Sequence, residues 1–132
     1  MRNIRCFAFS ALILVMPLSV RAQEAGSTVA TWAKAMQRHE QLVSKAIQIR
    51  DSAELRRQVI ELRARSAEST SWPDEDRWNL ARIYCATMAQ ELANFADDKL
   101  KGTARGEVAA EASFKAYRDA GPNCKRGIQK LR

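Results

Sequence analysis

Residues 71–102, SWPDEDRWNLARIYCATMAQELANFADDKLKG, decide the fold class of this chain. Ser71 can cap free backbone N–H groups, and Pro73 suits a first helical turn, where its missing N–H costs nothing. Asp74, Glu75 and Asp76 then place negative charge at the positive end of a helix dipole. Trp78, Ala81, Cys85, Met88, Leu92 and Phe95 recur at steps of three or four, the helical period, and Leu80 and Tyr84 widen that face. Lys99 and Lys101 sit near the far end, where cations are favoured, and Gly102 can terminate the helix.

On the C-terminal side a further helix is expected from Thr103 to Glu107 onward. Val108, Ala109, Ala112, Ala116 and Ala120 fall along one side of it, with Tyr117 beside them. Small residues there let its backbone approach a neighbour closely. Gly121-Pro122 is expected to stop it, leaving Ile128 and Leu131 a short apolar contact. Cys85 lies about 16 residues before the turn at Gly102 and Cys124 about 20 after it, some of them spent in the turn; each arm of an antiparallel hairpin is then roughly 24 Å long. The two sulfurs come abreast. A Cys85–Cys124 disulfide would close a loop of about 39 residues and add about 4 kcal/mol in the chain-entropy treatment.

On the N-terminal side, Ser66 to Ser71 is polar and reads as a loop. Leu55, Val59 and Leu62 form one apolar stripe, and Val29, Trp32, Met36, Val43 and Ile47 form another. A helix start at Ser27 or Thr28 is expected, preceded by a disordered Gln23–Gly26 leader. Asp51 followed by Glu54 resembles a capping arrangement. No Gly or Pro enforces a break there, so one continuous, bent helix is expected through Asp51. The chain reads as all-α, a small antiparallel three- or four-helix bundle with one disulfide.

The first 22 residues read as an export signal. Arg2 and Arg5 precede an apolar run from Cys6 to Val20, and Val20-Arg21-Ala22 puts small residues where a signal peptidase reads. A run of about 15 residues containing Pro17 is short for a membrane span, which takes about 20. Cleavage after Ala22 leaves residues 23–132 as a single helical domain with no stable membrane span. It also removes Cys6, so Cys85 and Cys124 are an even pair in an oxidising compartment, periplasmic or secreted. No cysteine follows the apolar run to accept a lipid.

The chain holds 22 Lys plus Arg against 15 Asp plus Glu. Losing Arg2, Arg5 and Arg21 leaves 19 cations, so the exported form carries about +4 rather than +7. Nucleic acid is a poor fit for so modest an excess. Two basic regions remain as candidate partner surfaces. One is the C-terminal tail of Lys125, Arg126, Lys130 and Arg132. The other is the mixed helical face of Arg56, Arg57, Arg63 and Arg65 with Glu54 and Glu61. Either can be an ordinary solvated surface, or can touch an acidic protein or an anionic surface such as lipopolysaccharide or phospholipid.

Little else carries chemistry. His39 is the single histidine, with Met36 one turn before it and Met88 elsewhere; His and Met can ligate haem, but two ligands from one helical turn cannot flank one iron. The structural alternative puts Met36 in the core and His39 at the edge of a helix face. Asp74–Asp76 and Asp97-Asp98 suit helix ends without any catalytic role. There is no Cys-x-x-Cys, no Cys-x-x-Cys-His and no Gly-x-Ser-x-Gly. Trp72 either staples the start of the helix that follows it or contacts a partner. The expectation is a non-enzymatic binding, inhibitory or accessory protein of the bacterial cell envelope, acting on another envelope or secreted protein, without cofactor or metal. The alternatives are a periplasmic haem or metal carrier using His39 and a methionine, and a small envelope hydrolase.

Overall fold

Four helices, α1 (Leu18–Gln48), α2 (Ser52–Thr70), α3 (Asp76–Lys101) and α4 (Ala104–Gln129), make up a computed structural model that describes residues 18–131, with side chains from residue 28 onward. No strand occurs among the described residues. The basic start and most of the apolar run of the expected signal, and Arg132, lie outside them. α1 begins at Leu18 and continues through Gln23–Gly26, so Ser27 and Thr28 are interior positions and not the helix start. Its apolar stripe is the expected one: Val29, Trp32, Met36 and Val43 are all but sealed from solvent.

The continuous helix expected through Asp51 is instead two helices. The Asp51 N–H bonds the Ala46 carbonyl at 2.8 Å and the Arg50 N–H bonds the Ile47 carbonyl at 3.2 Å, with Arg50 left-handed at φ 57°. This Schellman closure ends a helix without glycine, at about 1–2 kcal/mol of backbone strain. Asp51 then opens α2, its Oδ1 accepting from the Glu54 N–H at 2.9 Å. The capping pair was legible; its strength in overriding a helix lacking breakers was not.

The expected Ser66–Ser71 loop is helical to Thr70. Hydroxyl groups back-bond to the helix's own carbonyls, Ser69 to Arg65 and Ser66, Thr70 to Ser66 and Ala67. Ser66 Oγ also donates to the Ala86 carbonyl of α3 at 3.0 Å, so the polar run is an inter-helix contact. α3 starts at Asp76, later than Ser71 and Pro73 imply, with Glu75 before it making no side-chain cap. Gly102 ends it in the left-handed region at φ 59°, and Thr103 caps α4 through the Gly106 N–H.

α4 departs most from expectation. Its buried positions are Gly106, Ala110, Tyr117, Ala120, Cys124 and Gly127. Small residues do line the contact, but Val108 is 70% exposed and Ala112 faces solvent, so the stripe is rotated from the expected one. Gly121-Pro122 does not stop the helix. A proline inside a helix costs about 3 kcal/mol, and the turns beyond it are held down at two points. Cys124 is bonded to Cys85 with Cα atoms 4.7 Å apart, and Gly127 lies against the backbone of Ala81. The disulfide hairpin of α3 and α4 stands as expected.

α3 is the central element, packed against α2 on one side and α4 on the other, and α1 rests mainly on α2. Trp32, Trp72 and Trp78 close one end of the bundle, with ring centroids 5.4 Å apart for Trp32–Trp72 and 6.0 Å for Trp72–Trp78. Trp32 Nε1 donates to the Arg65 carbonyl at 3.0 Å. Around the ring of four helices one side stays open, because α1 and α4 scarcely approach each other.

Candidate functional site

The open side is a seam walled by α1 and α4 and floored by α3. At one end Trp32, Ala33, Met36 and Gln37 face Gly121, Cys124, Lys125 and Ile128 across Met88, enclosing about 490 Å³. At the other, Val43, Ser44 and Ile47 face Phe114 across Leu92, Phe95 and Lys99, enclosing about 360 Å³. Glu40 borders both. From Ala33 to Ile47 the wall is roughly 21 Å long at 1.5 Å per residue.

The two compartments meet at a polar bridge. The Tyr117 hydroxyl of α4 lies near enough to the Glu40 carboxylate of α1 for hydrogen-bond and charge interaction between them. Burial first, and then this interaction with an anion, push the Tyr117 phenol well above its ordinary range. The floor is aromatic beyond the bridge: Phe95 and Phe114 have centroids 4.9 Å apart, and Phe114 and Tyr117 5.8 Å. The Arg118 guanidinium lies 5.1 Å from the Phe114 ring centre.

Charge on the rim is unbalanced. Lys99 is paired with Glu107, and Glu40 is engaged by Tyr117. Arg118 and Lys125 have no ion pair among the described residues. They stand seven positions apart on α4, which is two turns, or roughly 10.5 Å.

The expected surface residues are not brought together. Arg56 is exposed and without an ion pair among the described residues; Arg57 chelates Glu54, with Nη2 to Oε2 at 2.7 Å. Arg63 lies 3.7 Å from Asp97. These three are on α2, whereas Lys125 is on the seam and Arg126 is hydrogen-bonded to Asn123 on α4. Trp72 is 7% exposed inside the tryptophan cluster, so it staples the bundle end and is not a surface contact. Met36 is in the core, as the structural alternative held, but His39 is buried and hydrogen-bonded to Gln58 instead of sitting at the edge of a helix face. Met36 and Met88 line the seam while His39 opens between α1 and α2, so the histidine and the methionines border different cavities.

Sequence reasoning missed Gln37, Glu40, Phe114 and Arg118. Phe114 and Arg118 had a readable signal, a large aromatic and a cation four apart on α4, obscured by the misplaced stripe. Among the described residues there is no group of His, Cys, Asp and Glu able to hold a metal ion, and no helix long and apolar enough to cross a membrane. Comparison by sequence and by fold finds no matching protein family, no matching characterised protein and no matching solved structure.

Proposed function

We propose that this is an exported, non-enzymatic helical protein of the bacterial cell envelope that binds another protein, and that the α1–α4 seam receives an amphipathic helix of that partner. The observation that carries the reading is the seam itself. A four-helix bundle gains by closing all four sides, and here a groove remains between α1 and α4 in which Met88, Phe95 and Phe114 stay partly accessible, the shape of a shallow helix-in-groove site. Its length matches a helix of about 14 residues. Lys125 on the lining and Arg118 over the Phe114 ring, neither in an ion pair among the described residues, favour an occupant with acidic residues seven apart flanking its apolar face. The leader and the disulfide support export: oxidation fastens α3 to α4, and these two helices supply the floor and one wall.

Affinity capture from an envelope extract tests this when run with variants of the rim. Arg118→Glu/Lys125→Glu reverses two exposed cations that make no ion pair among the described residues, and Arg56→Glu alters the remote α2 face. The proposal expects a protein retained by the wild type and by Arg56→Glu, lost from the double variant, and containing an acidic amphipathic helix. Retention that is indifferent to the double variant would overturn it.

A further inference from the structure

On the opposite side of α1 from the seam, a second cavity of about 300 Å³ opens between α1 and α2, lined by Ala35, Arg38, His39, Leu42, Arg57, Glu61 and Arg65. Its polar groups follow from a fixed hydrogen-bond chain. The Glu54 carboxylate accepts from Gln58 Nε2 at 2.8 Å, which turns Gln58 Oε1 toward His39 Nδ1 at 2.7 Å. A carbonyl oxygen only accepts, so Nδ1 carries the ring proton. Gln58 is fully buried and His39 is 6% exposed, so the ring cannot turn freely. In the neutral imidazole Nε2 is then a lone-pair acceptor, and it has no protein partner among the described residues.

Three arginines, Arg38, Arg57 and Arg65, line the same cavity as His39. Arg57 and Arg65 are held by Glu54 and Glu68. Arg38 has no ion pair among the described residues. Glu61 is the one acid on the lining; half-exposed, it lies 3.7 Å from His39 Nδ1 and 3.9 Å from Arg57 Nη1, on the side of the ring away from Nε2. The cavity lining thus offers one acceptor, on the imidazole, together with several guanidinium donors. A ligand that satisfies it must donate one hydrogen bond and accept several. Fully ionised carboxylates and sulfate only accept, and ammonium ions only donate. A phosphate group that keeps one proton does both, offering P–OH to Nε2 and its charged oxygens to the guanidiniums.

We propose that the α1–α2 cavity binds a singly protonated phosphate, either inorganic phosphate or a phosphate monoester headgroup, with His39 Nε2 accepting from P–OH and Arg38 as the principal charged contact. The Glu54–Gln58 chain acts at one remove, as positioning residues that fix the ring. No proton is transferred and no bond is made or broken.

His39 is the single histidine in the chain, so its imidazole signals in a nitrogen-detected NMR spectrum are unambiguous. Inorganic phosphate titrated into the full exported chain should shift the His39 Nε2 signal saturably. Arg38→Gln, at an exposed position, should weaken the response by at least about tenfold. Sulfate at equal ionic strength should give a markedly weaker response. Gln58→Leu should leave Arg38 in place yet abolish the preference for phosphate over sulfate, an effect that simple charge attraction does not produce. Sedimentation with phosphatidylcholine vesicles containing phosphatidic acid separates the two sources. Cosedimentation that free phosphate displaces assigns the headgroup, and a saturable NMR shift without cosedimentation assigns the free ion. A linear response through tens of millimolar, an equal response to sulfate, or an unchanged response in Arg38→Gln would overturn the proposal.

Discussion

A Cβ placed on Gly127 would stand 2.4 Å from the backbone nitrogen of Ala81 and 2.6 Å from its Cα. α4 therefore rests its bare backbone on α3, three positions beyond the disulfide. The atoms in the way are backbone and cannot rotate aside, so Gly127→Ala must push the helices apart. Such overpacking costs about 1–3 kcal/mol, and the upper end is expected here. Gly121 is the matched control, with nothing within 4 Å of its Cβ position. Its replacement by alanine trades a better helix residue against crowding with Pro122, so the net change should stay within about 1 kcal/mol. Urea unfolding of the two variants side by side measures the difference, and equal losses would contradict the packing described.

The Cys85–Cys124 bond spans a sequence separation of 39. Replacing both residues by alanine should lower stability by about 4 kcal/mol, chiefly by freeing the unfolded chain. Denaturant midpoints with matched slopes give the value. A loss below about 1 kcal/mol would mean that packing alone fixes the hairpin.

Tyr117 supplies a pH dependence with a definite sign. Its folded-state phenol is raised above the ordinary value of 10.0 by burial and by the bond to Glu40. The unfolded chain therefore ionises this group first. The contribution to stability is fully present below about pH 10 and is lost as the pH rises from there toward the folded value. Tyr117→Phe should cost about 1 kcal/mol at neutral pH, for the lost hydrogen bond. Its stability should then fall less steeply than that of the wild type in the alkaline range. Parallel alkaline limbs for the two proteins would rule out this assignment.

Pro122 sits inside α4 and offers no N–H to the carbonyl four residues back, that of Arg118. Pro122→Ala restores that donor at an exposed site. Stability should rise, by up to about 3 kcal/mol, as read from the thermal midpoint. A fall would mean that the proline shapes a contact that the helix needs.

How far the fold could be read from the residues varied with the kind of signal. The stripes Val29–Trp32–Met36–Val43 and Leu55–Val59–Leu62 are large, apolar and regularly spaced, and they are buried as read. Cys85 and Cys124 came abreast by helix rise alone. The α4 stripe failed because α4 is rich in alanine and glycine. A face of small residues carries no periodic contrast, and only backbone approach at Gly106 and Gly127 reveals which one is inward. The breaks failed for a related reason. Arg50 adopts a glycine-like conformation and Pro122 a helical one, each against its own preference, because Asp51 capping and the disulfide outweigh a cost of one to a few kcal/mol. The seam was not legible at all. It arises from two helices that approach each other only sparsely, and no single helix records how far it stands from its neighbour.

The most direct test of the seam places a photo-activated cross-linking side chain at Gln37, on its rim, and separately at Arg56 on the outer face of α2. The protein is then irradiated in an envelope extract. Gln37 should trap one protein, through a peptide that carries an acidic amphipathic helix, and Arg56 should trap nothing comparable. The same product from both positions, or none from Gln37, would contradict the assignment of the seam as the binding face.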